Sequence, residues 1–298
     1  MTQRCGFVAI LGAPNAGKST LLNRLLGTKL AIVTPKPQTT RRRMLGIVIE
    51  GEAQIVLVDT PGIFAPRRRL DRAMVDAAWS GAGDADLVMM LIDAGKGIDA
   101  DAQRVLDGLA AHKPRAIAVL NKIDLVDKAA LLPLAASLDA TGLFQRVMMI
   151  SGLSGDGVAD LRAHLAAAMP EGPWHFPDDQ LTDLSERLIA AEITRERLFL
   201  ELRQELPYAS TVETDKWTDQ PDGSARIDQT IHVERDSQKA IVLGKGGKQI
   251  KRIGEMARAE MERAFDRRIH LFLFVRVTEG WAENREHLAA AGLEDEGA

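Results

Sequence analysis

Hydrophobic positions follow two different patterns along this chain, and the change between them divides it. In the first 151 residues five short runs, at 7–11, 55–58, 87–92, 116–120 and 147–150, are apolar at nearly every position. A strand covered on one face alternates, whereas a strand covered on both faces does not. Stretches with helical spacing lie between several of these runs, at 18–26, 70–79, 102–111 and 129–138, and another at 161–168 follows the last. Strands alternating with helices predict a doubly wound, mostly parallel α/β sheet. Gly12, Asp59, Asp93, Asn121 and Ser151 follow the five runs in turn. Glycine or a polar residue thus stands at each expected carboxyl end, the edge where such sheets bind ligands.

Residues 169–177 carry three prolines and a glycine and break the preceding helix, as a linker does. The expected organisation is a first domain over 1–169, a linker over 170–180 and a second domain over 181–298. The second domain has apolar residues at helical spacing over 181–206. Strands are expected at 208–219 and 225–234, around the turn Gln220-Pro-Asp-Gly-Ser224. A helix at 238–243, a glycine loop at 244–247, a helix at 248–265 and a strand at 269–277 complete an α+β unit. Ile250, Ile253, Ala257, Met261, Ala264 and Phe265 give the long helix its expected buried side.

Composition removes several classes of function. With 298 residues, 46% hydrophobic and 27% charged, the chain is long enough for two packed cores and too apolar for disorder. No run approaches 18 uncharged apolar residues, so a membrane-spanning helix is not expected. The chain enters an apolar strand directly, without a signal-peptide pattern, so an intracellular, cytoplasmic protein is expected. The single cysteine, Cys5, is expected just before the first strand and cannot form an internal disulfide or a multi-cysteine metal site. Six scattered histidines show neither metal spacing nor a nucleophile partner. A net charge of −4 excludes a globally basic coat, and 4% aromatics weighs against base stacking on exposed rings.

The chemistry concentrates at the strand ends. Gly12-Ala13-Pro14-Asn15-Ala16-Gly17-Lys18-Ser19, followed by Thr20, fits the phosphate-loop pattern after a strand and at the opening of a helix. Backbone N–H groups there cradle phosphates, Lys18 reaches the β- and γ-phosphates, and the Ser19 hydroxyl suits Mg²⁺. Asp59-Thr60-Pro61-Gly62 supplies a carboxylate for Mg²⁺ and, at Gly62, an N–H for the γ-phosphate. Asn121-Lys122-Ile123-Asp124 offers a carboxylate for the N1–H and 2-amino group of guanine, donors that adenine lacks there, so Asp124 selects GTP over ATP. Asn121 braces neighbouring loops and the Lys122 stem covers the base. Ser151-Gly152-Leu153 supplies a backbone N–H to the guanine oxygen.

The loop over 34–43 contains two prolines and no apolar period, so it reads as mobile. Thr40, in preference to Thr39, is the threonine expected to complete the Mg²⁺ shell and release it on hydrolysis. A second switch is expected over 62–70. The arginine triplets at 41–43 and 67–69 are read first as solvated charge, with a partner or RNA contact as the other reading.

In the second domain, Gly244-Lys245-Gly246-Gly247 joins two helices and fits the Gly-X-X-Gly loop that clamps nucleotide backbone, the rival reading being a helix-ending turn. From residue 235 to 276 there are 11 Lys and Arg against 5 Asp and Glu, whereas 181–298 as a whole carries 18 against 23. Positive charge is thus gathered round the loop, and Lys248, Lys251 and Arg252 are placed to face phosphates.

Residues 7–160 resemble the translation-factor class of GTPases. This resemblance implies Mg²⁺-GTP binding by 12–19, Thr40, 59–62, 121–124 and 151–153, with Lys18, Thr40, Asp59 and Gly62 engaged in hydrolysis. Two departures stand out: Gly152 replaces a usual alanine, and Ile63 occupies the place of the glutamine that orients water in Ras-like enzymes, which implies slow intrinsic turnover. The segment 234–254, the later Gly280-Trp281-Ala-Glu-Asn284 and the Pro-Gln-Thr-Thr-Arg41 loop are similar to the Era family of bacterial GTPases. That resemblance implies a P-loop GTPase domain followed by a type II KH domain. It also implies 16S rRNA binding near the 3′ end, assistance to 30S subunit assembly, a monomer, and peripheral contact with the cytoplasmic face of the inner membrane. The rival reading is a membrane-associated or cell-cycle signalling GTPase whose second domain binds a protein.

Overall fold

A computed structural model describes residues 2–34, 36, 40, 43–66, 69–203 and 205–281. Thr39, Arg41, Arg42, Arg67, Arg68 and the segment beyond Trp281, including Asn284, lie outside the described residues. Cα packing divides the chain into two units, Met1–Ala31 with Thr40–Asp183, and Ile32–Thr39 with Leu184–Ala298.

The first unit is a six-stranded sheet in the order β2-β3-β1-β4-β5-β6. Its elements are β1 (Arg4–Gly12), α1 (Lys18–Leu26), β2 (Met44–Glu50), β3 (Ala53–Asp59), α2 (Arg69–Gly83), β4 (Leu87–Asp93), α3 (Ala100–His112), β5 (Ala116–Asn121), α4 (Lys128–Asp139), β6 (Val147–Met149) and α5 (Val158–Ala168). β1, β3, β4, β5 and β6 run parallel; β2 alone is antiparallel, paired with β3 at the sheet edge. Residues 8–11 of β1 are wholly buried, the condition that produces a run with no polar alternation. The sequence pattern missed β2 because Gly46 interrupts it. That glycine is needed there: a Cβ would stand 2.8 Å from Leu22 of α1. Side-chain caps start α3 and α4; at α3 the Asp99 carboxylate accepts from the N–H groups of Asp101 and Ala102, an arrangement worth about 1 kcal/mol.

Cys5 lies inside β1 rather than before it. It is buried, with its Sγ 3.4 Å from the Gln54 side-chain oxygen. The proline-rich stretch after α5 packs on the sheet. Gln54 Oε1 accepts from the N–H groups of His175 and Phe176, and the Ile47 N–H donates to the Leu181 carbonyl. Residues 181–183 are therefore held beside β2, and the helix expected from 181 begins only after Ser185, whose hydroxyl caps it.

The second unit runs α6 (Glu186–Glu201), β7 (Ser210–Asp219), β8 (Ala225–Val233), α7 (Asp236–Leu243), α8 (Lys248–Phe265) and β9 (Ile269–Val277). Its sheet order is β7-β8-β9, with β7 antiparallel and β9 parallel to β8. One sheet face packs on the helices. Leu198, Ile231, Val233, Val242 and Ile253 form one buried cluster, and Ala190, Ile227, Ala257, Met261 and Ile269 another. Ile250 and Phe265 pack beside these clusters half-buried, whereas Ala264 is exposed, contrary to the expectation from spacing. Within this unit the Val33 N–H donates to Glu196 at 3.0 Å, and the Lys36 ammonium bonds the carbonyls of Phe199 and Leu202 at the end of α6.

Candidate nucleotide site and nucleic-acid surface

Gly12, Asp59, Asp93 and Asn121 are the last residues of β1, β3, β4 and β5, and Ser151 follows β6 by two positions. Strand register brings Ile10 opposite Asp59 and Asp93 opposite Asn121. All five candidate positions therefore share one edge of the sheet.

The phosphate loop closes on Lys18, which begins α1 and is only 7% exposed. Its ammonium donates to the carbonyls of Gly12 and Ala13 at 3.1 and 3.2 Å. Burial pushes Lys18 down to about 8, against the pull of the Asp59 carboxylate. Burial likewise pushes Asp59 up to about 6, opposed first by Lys18 and then by the Thr40 hydroxyl. Gly17 is at φ 98°, and a Cβ there would meet Asn121 Nδ2 at 2.2 Å, so only glycine lets these two loops approach. Gly62 packs over the same loop: a Cβ would lie 3.2 Å from the Pro14 backbone and 3.3 Å from the Lys18 ammonium. The neighbouring Ile63 N–H donates to the Gly12 carbonyl at 3.2 Å, and its side chain is buried.

Three oxygens gather beside Lys18. Ser19 Oγ lies 3.1 Å from Thr40 Oγ1, and Thr40 Oγ1 donates to Asp59 Oδ2 at 3.1 Å. Asp59 Oδ1 is buried without a hydrogen-bond partner. A buried carboxylate oxygen without a partner is costly, and two hydroxyls with a carboxylate are hard oxygen ligands of the kind Mg²⁺ accepts. The residues present fit that cation. No cluster of three or more His, Cys, Asp or Glu able to hold a metal occurs among the described residues.

At the base end, Asn121 is 2% exposed. Its Nδ2 donates to the Ala16 carbonyl at 2.9 Å, and its Oδ1 accepts from Lys122 and Gly152 N–H at 2.8 and 2.9 Å. One side chain thus ties the phosphate loop to both base-reading loops. The Gly152 N–H is thus engaged by Asn121. Asp124 sits exposed in a single 3₁₀ turn, Ile123–Leu125, leaving its carboxylate open to a base. Ala13, Pro14 and Asn15 form the loop crest, with Asn15 at φ 64°, and Thr20 continues α1.

The sequence placed Asp93 at the site edge without a role and did not single out Arg24. Asp93 Oδ2 pairs with the Lys122 ammonium at 2.7 Å, and that ammonium also donates to the Asn15 carbonyl at 2.7 Å. The aspartate thereby aims the lysine stem along the site. Its position at a strand end was the available signal. Arg24 on α1 donates to the carbonyls of Gly152 and Leu153, stiffening the loop that glycine at 152 leaves free. No local pattern marks that arginine.

In the second unit, Gly244, Gly246 and Gly247 have φ of 69°, 62° and 75°, and the Gly247 N–H donates to the Gly244 carbonyl at 3.1 Å, closing a tight turn between α7 and α8. Lys245 and Lys248 are exposed. Lys251 and Arg252 are exposed as well, but they pair with Glu255 at 4.0 Å and Glu201 at 3.1 Å. Along α8 and β9 runs a groove of about 380 Å³, lined by Ile250, Lys251, Gly254, Glu255 and Arg258 and by Leu271, Phe272 and Leu273. Arg258 and the β9 residues were not expected. Trp281 is buried and donates to the Ala209 carbonyl at 3.1 Å, so it packs.

Comparison with known proteins agrees with this division. Residues 7–122 match the model of a 50S ribosome-binding GTPase family, and residues 205–282 match a KH domain. GTPase Era of Bradyrhizobium sp. (strain BTAi1 / ATCC BAA-1182) is 58% identical over 98% of this chain and 94% of its own. GTPase Era of Rhizobium meliloti is 56% identical over 98% and 93%. The crystal structure of Aquifex aeolicus Era bound to GDP·AlF4⁻ superposes with a TM-score of 0.93 at 36% identity, covering 98% of this chain and 100% of that one. An Era complex with MgGDPNP and nucleotides 1506–1542 of 16S ribosomal RNA gives the same TM-score and identity, over 98% and 99%. With the relatives matched along nearly their full length and a phosphate loop, guanine-reading loops and KH fold in one chain, this protein is a GTPase and belongs to the Era family.

Proposed function

We propose that this chain is a Mg²⁺-dependent GTP switch that binds 16S rRNA near its 3′ end and assists assembly of the 30S subunit in the cytoplasm. The observation that carries the reading is that one chain joins a complete guanine-nucleotide edge to a glycine loop flanked by exposed lysines, Lys245 and Lys248. The 16S complex of the similar Era structure supports the choice of RNA. That likeness spans nearly the whole chain, whereas the 50S description belongs to a family model covering 7–122 only.

The chain's own groups account for the chemistry. On binding, the Lys18 ammonium exchanges the Gly12 and Ala13 carbonyls for phosphate oxygens. Bound Mg²⁺ supplies positive charge against the phosphates, held by Ser19, Thr40 and the otherwise unpartnered oxygen of Asp59. Ile63 is apolar and buried, so it cannot orient water; intrinsic hydrolysis is slow until another group or a partner places the nucleophile. Thr40 is a few residues from Lys36, whose ammonium bonds the end of α6.

Binding of a 16S 3′-end oligonucleotide, measured with a non-hydrolysable GTP analogue and with GDP, tests the switch. Affinities should differ, and RNA should shift the ratio of the analogue's affinity to that of GDP by the same factor. Equal RNA affinity in the two states refutes it. Replacing Lys245 and Lys248 by Glu should abolish RNA binding while leaving hydrolysis unchanged.

A further inference from the structure

β9 has two faces. Leu271, Leu273 and Val275 turn toward the helices, and the alternate positions His270, Phe272, Phe274 and Arg276 lie on the other face. On that face Phe272 is 44% and Phe274 56% exposed. Isolated exposed aromatics are ordinary, but two on one strand two residues apart form a platform. The Arg226 guanidinium of β8 stacks on Phe272, 4.4 Å from the ring centroid, and Asp228 holds it at 3.1 Å. Register places Arg226 beside His270 and Thr230 beside Phe274. Exposed Lys216 and Arg276 add positive charge on this side, against Glu213, Asp215 and Asp228, with Asp215 accepting from the Thr230 hydroxyl at 2.7 Å; Thr230 and His232 of β8 are buried, so the open part of the face is the β9 edge with Arg226.

We propose that this open face of the β7-β8-β9 sheet is a second RNA surface, on which bases of a strand leaving the α8–β9 groove stack on Phe272, Arg226 and Phe274. The inference rests on the RNA-binding reading above and extends it. Single-stranded RNA is the occupant because the platform is continuous with the groove. β9 is an edge strand, and Phe272 lines the groove while belonging to the outer face. Phe272 and Phe274 are about 7 Å apart along the strand, which suits successive unstacked bases. Aromatic rings and arginine planes on a sheet are a general means of holding such bases. The low aromatic content does not oppose this, since two of only eight phenylalanines are placed together and exposed.

The test compares two oligonucleotides from the 16S 3′ end by fluorescence anisotropy. One, of about five nucleotides, fills only the groove; the other, of about nine, reaches the sheet face. The full-length protein should bind the longer RNA about tenfold more tightly or better. Phe274→Ala and Arg276→Gln should remove most of that gain and leave the short RNA unchanged, and Phe274→Trp should retain it. A 5-iodouridine in the extension should crosslink to Phe274. An undiminished gain in Phe274→Ala overturns the proposal. So does a wild-type protein that self-associates at micromolar concentration while Phe274→Ala is monomeric, which would give the face to a second copy. Failure of the short RNA to bind wild type would instead sink the RNA-binding reading itself.

Discussion

The nucleotide edge and the RNA surface are built on opposite principles. At the nucleotide edge Lys18, Asp59 and Asn121 are buried, and each is held by several bonds to backbone or by a neighbouring charge. At the RNA surface Lys245, Lys248, Phe272 and Phe274 project into solvent. A phosphate and a purine edge demand fixed donors in a low-dielectric setting, where each misplaced polar atom is expensive. A flexible polyanion is attracted by charge and stacking that tolerate motion. Loss of one group should therefore be severe at the first region and graded at the second.

The largest expected effect is at Lys18. Lys18→Ala should lower kcat/KM for GTP by about 1,000-fold without altering RNA binding measured in the absence of nucleotide; a loss below tenfold would place the phosphates elsewhere. Next, Asp124→Asn should reduce discrimination for GTP by about 100-fold, read from competition between GTP and XTP.

Acidity gives an intermediate effect. Asp59 rises to about 6 and Lys18 falls to about 8 through burial. Mg²⁺-GTP requires the first ionised and the second charged. Affinity should form a plateau between these values and fall by about tenfold per pH unit beyond either limb; a flat profile from pH 5 to 9 would contradict the buried pair. The sign for stability is opposite on the acid side. The folded value of Asp59 exceeds its ordinary 3.8, so its contribution to nucleotide-free stability grows as pH falls from about 6 toward 3.8. Asp59→Asn should erase that growth in thermal unfolding.

Smaller effects sharpen the contrast. Arg24→Ala should weaken nucleotide binding by about fivefold through the freed 152–154 loop. Gly152→Ala should be neutral, since its Cβ would make only ordinary contacts at 3.4 and 3.5 Å. Smallest of all, Lys248→Ala should weaken RNA binding a few-fold and lower its log–log salt slope by about 0.7.

Much of the first unit could be read from the chain because buried parallel strands leave uninterrupted apolar runs, and because the phosphate loop is local in sequence. β2 escaped because a glycine needed for packing against Leu22 resembles a strand breaker. α6 was drawn too long because Leu181 is apolar but belongs beside Ile47, a long-range pairing with no local mark. The pairing of Asp93 and the whole of Arg24 escaped for the same reason: their partners, Lys122 and the Gly152–Leu153 carbonyls, are distant in sequence.

By itself, the sequence determined most of the strands and helices in both units, that polar residues end the buried strands, and that a guanine-reading aspartate accompanies a phosphate loop. These follow from spacing and backbone chemistry within a few residues. Only the tertiary structure decided that Asn121 ties three loops together, that Asp59 keeps an unpartnered oxygen, and that Phe272 and Phe274 stand exposed beside the α8–β9 groove. Those outcomes depend on strand order and helix packing, which bring together groups a hundred residues apart and set which of them lose water.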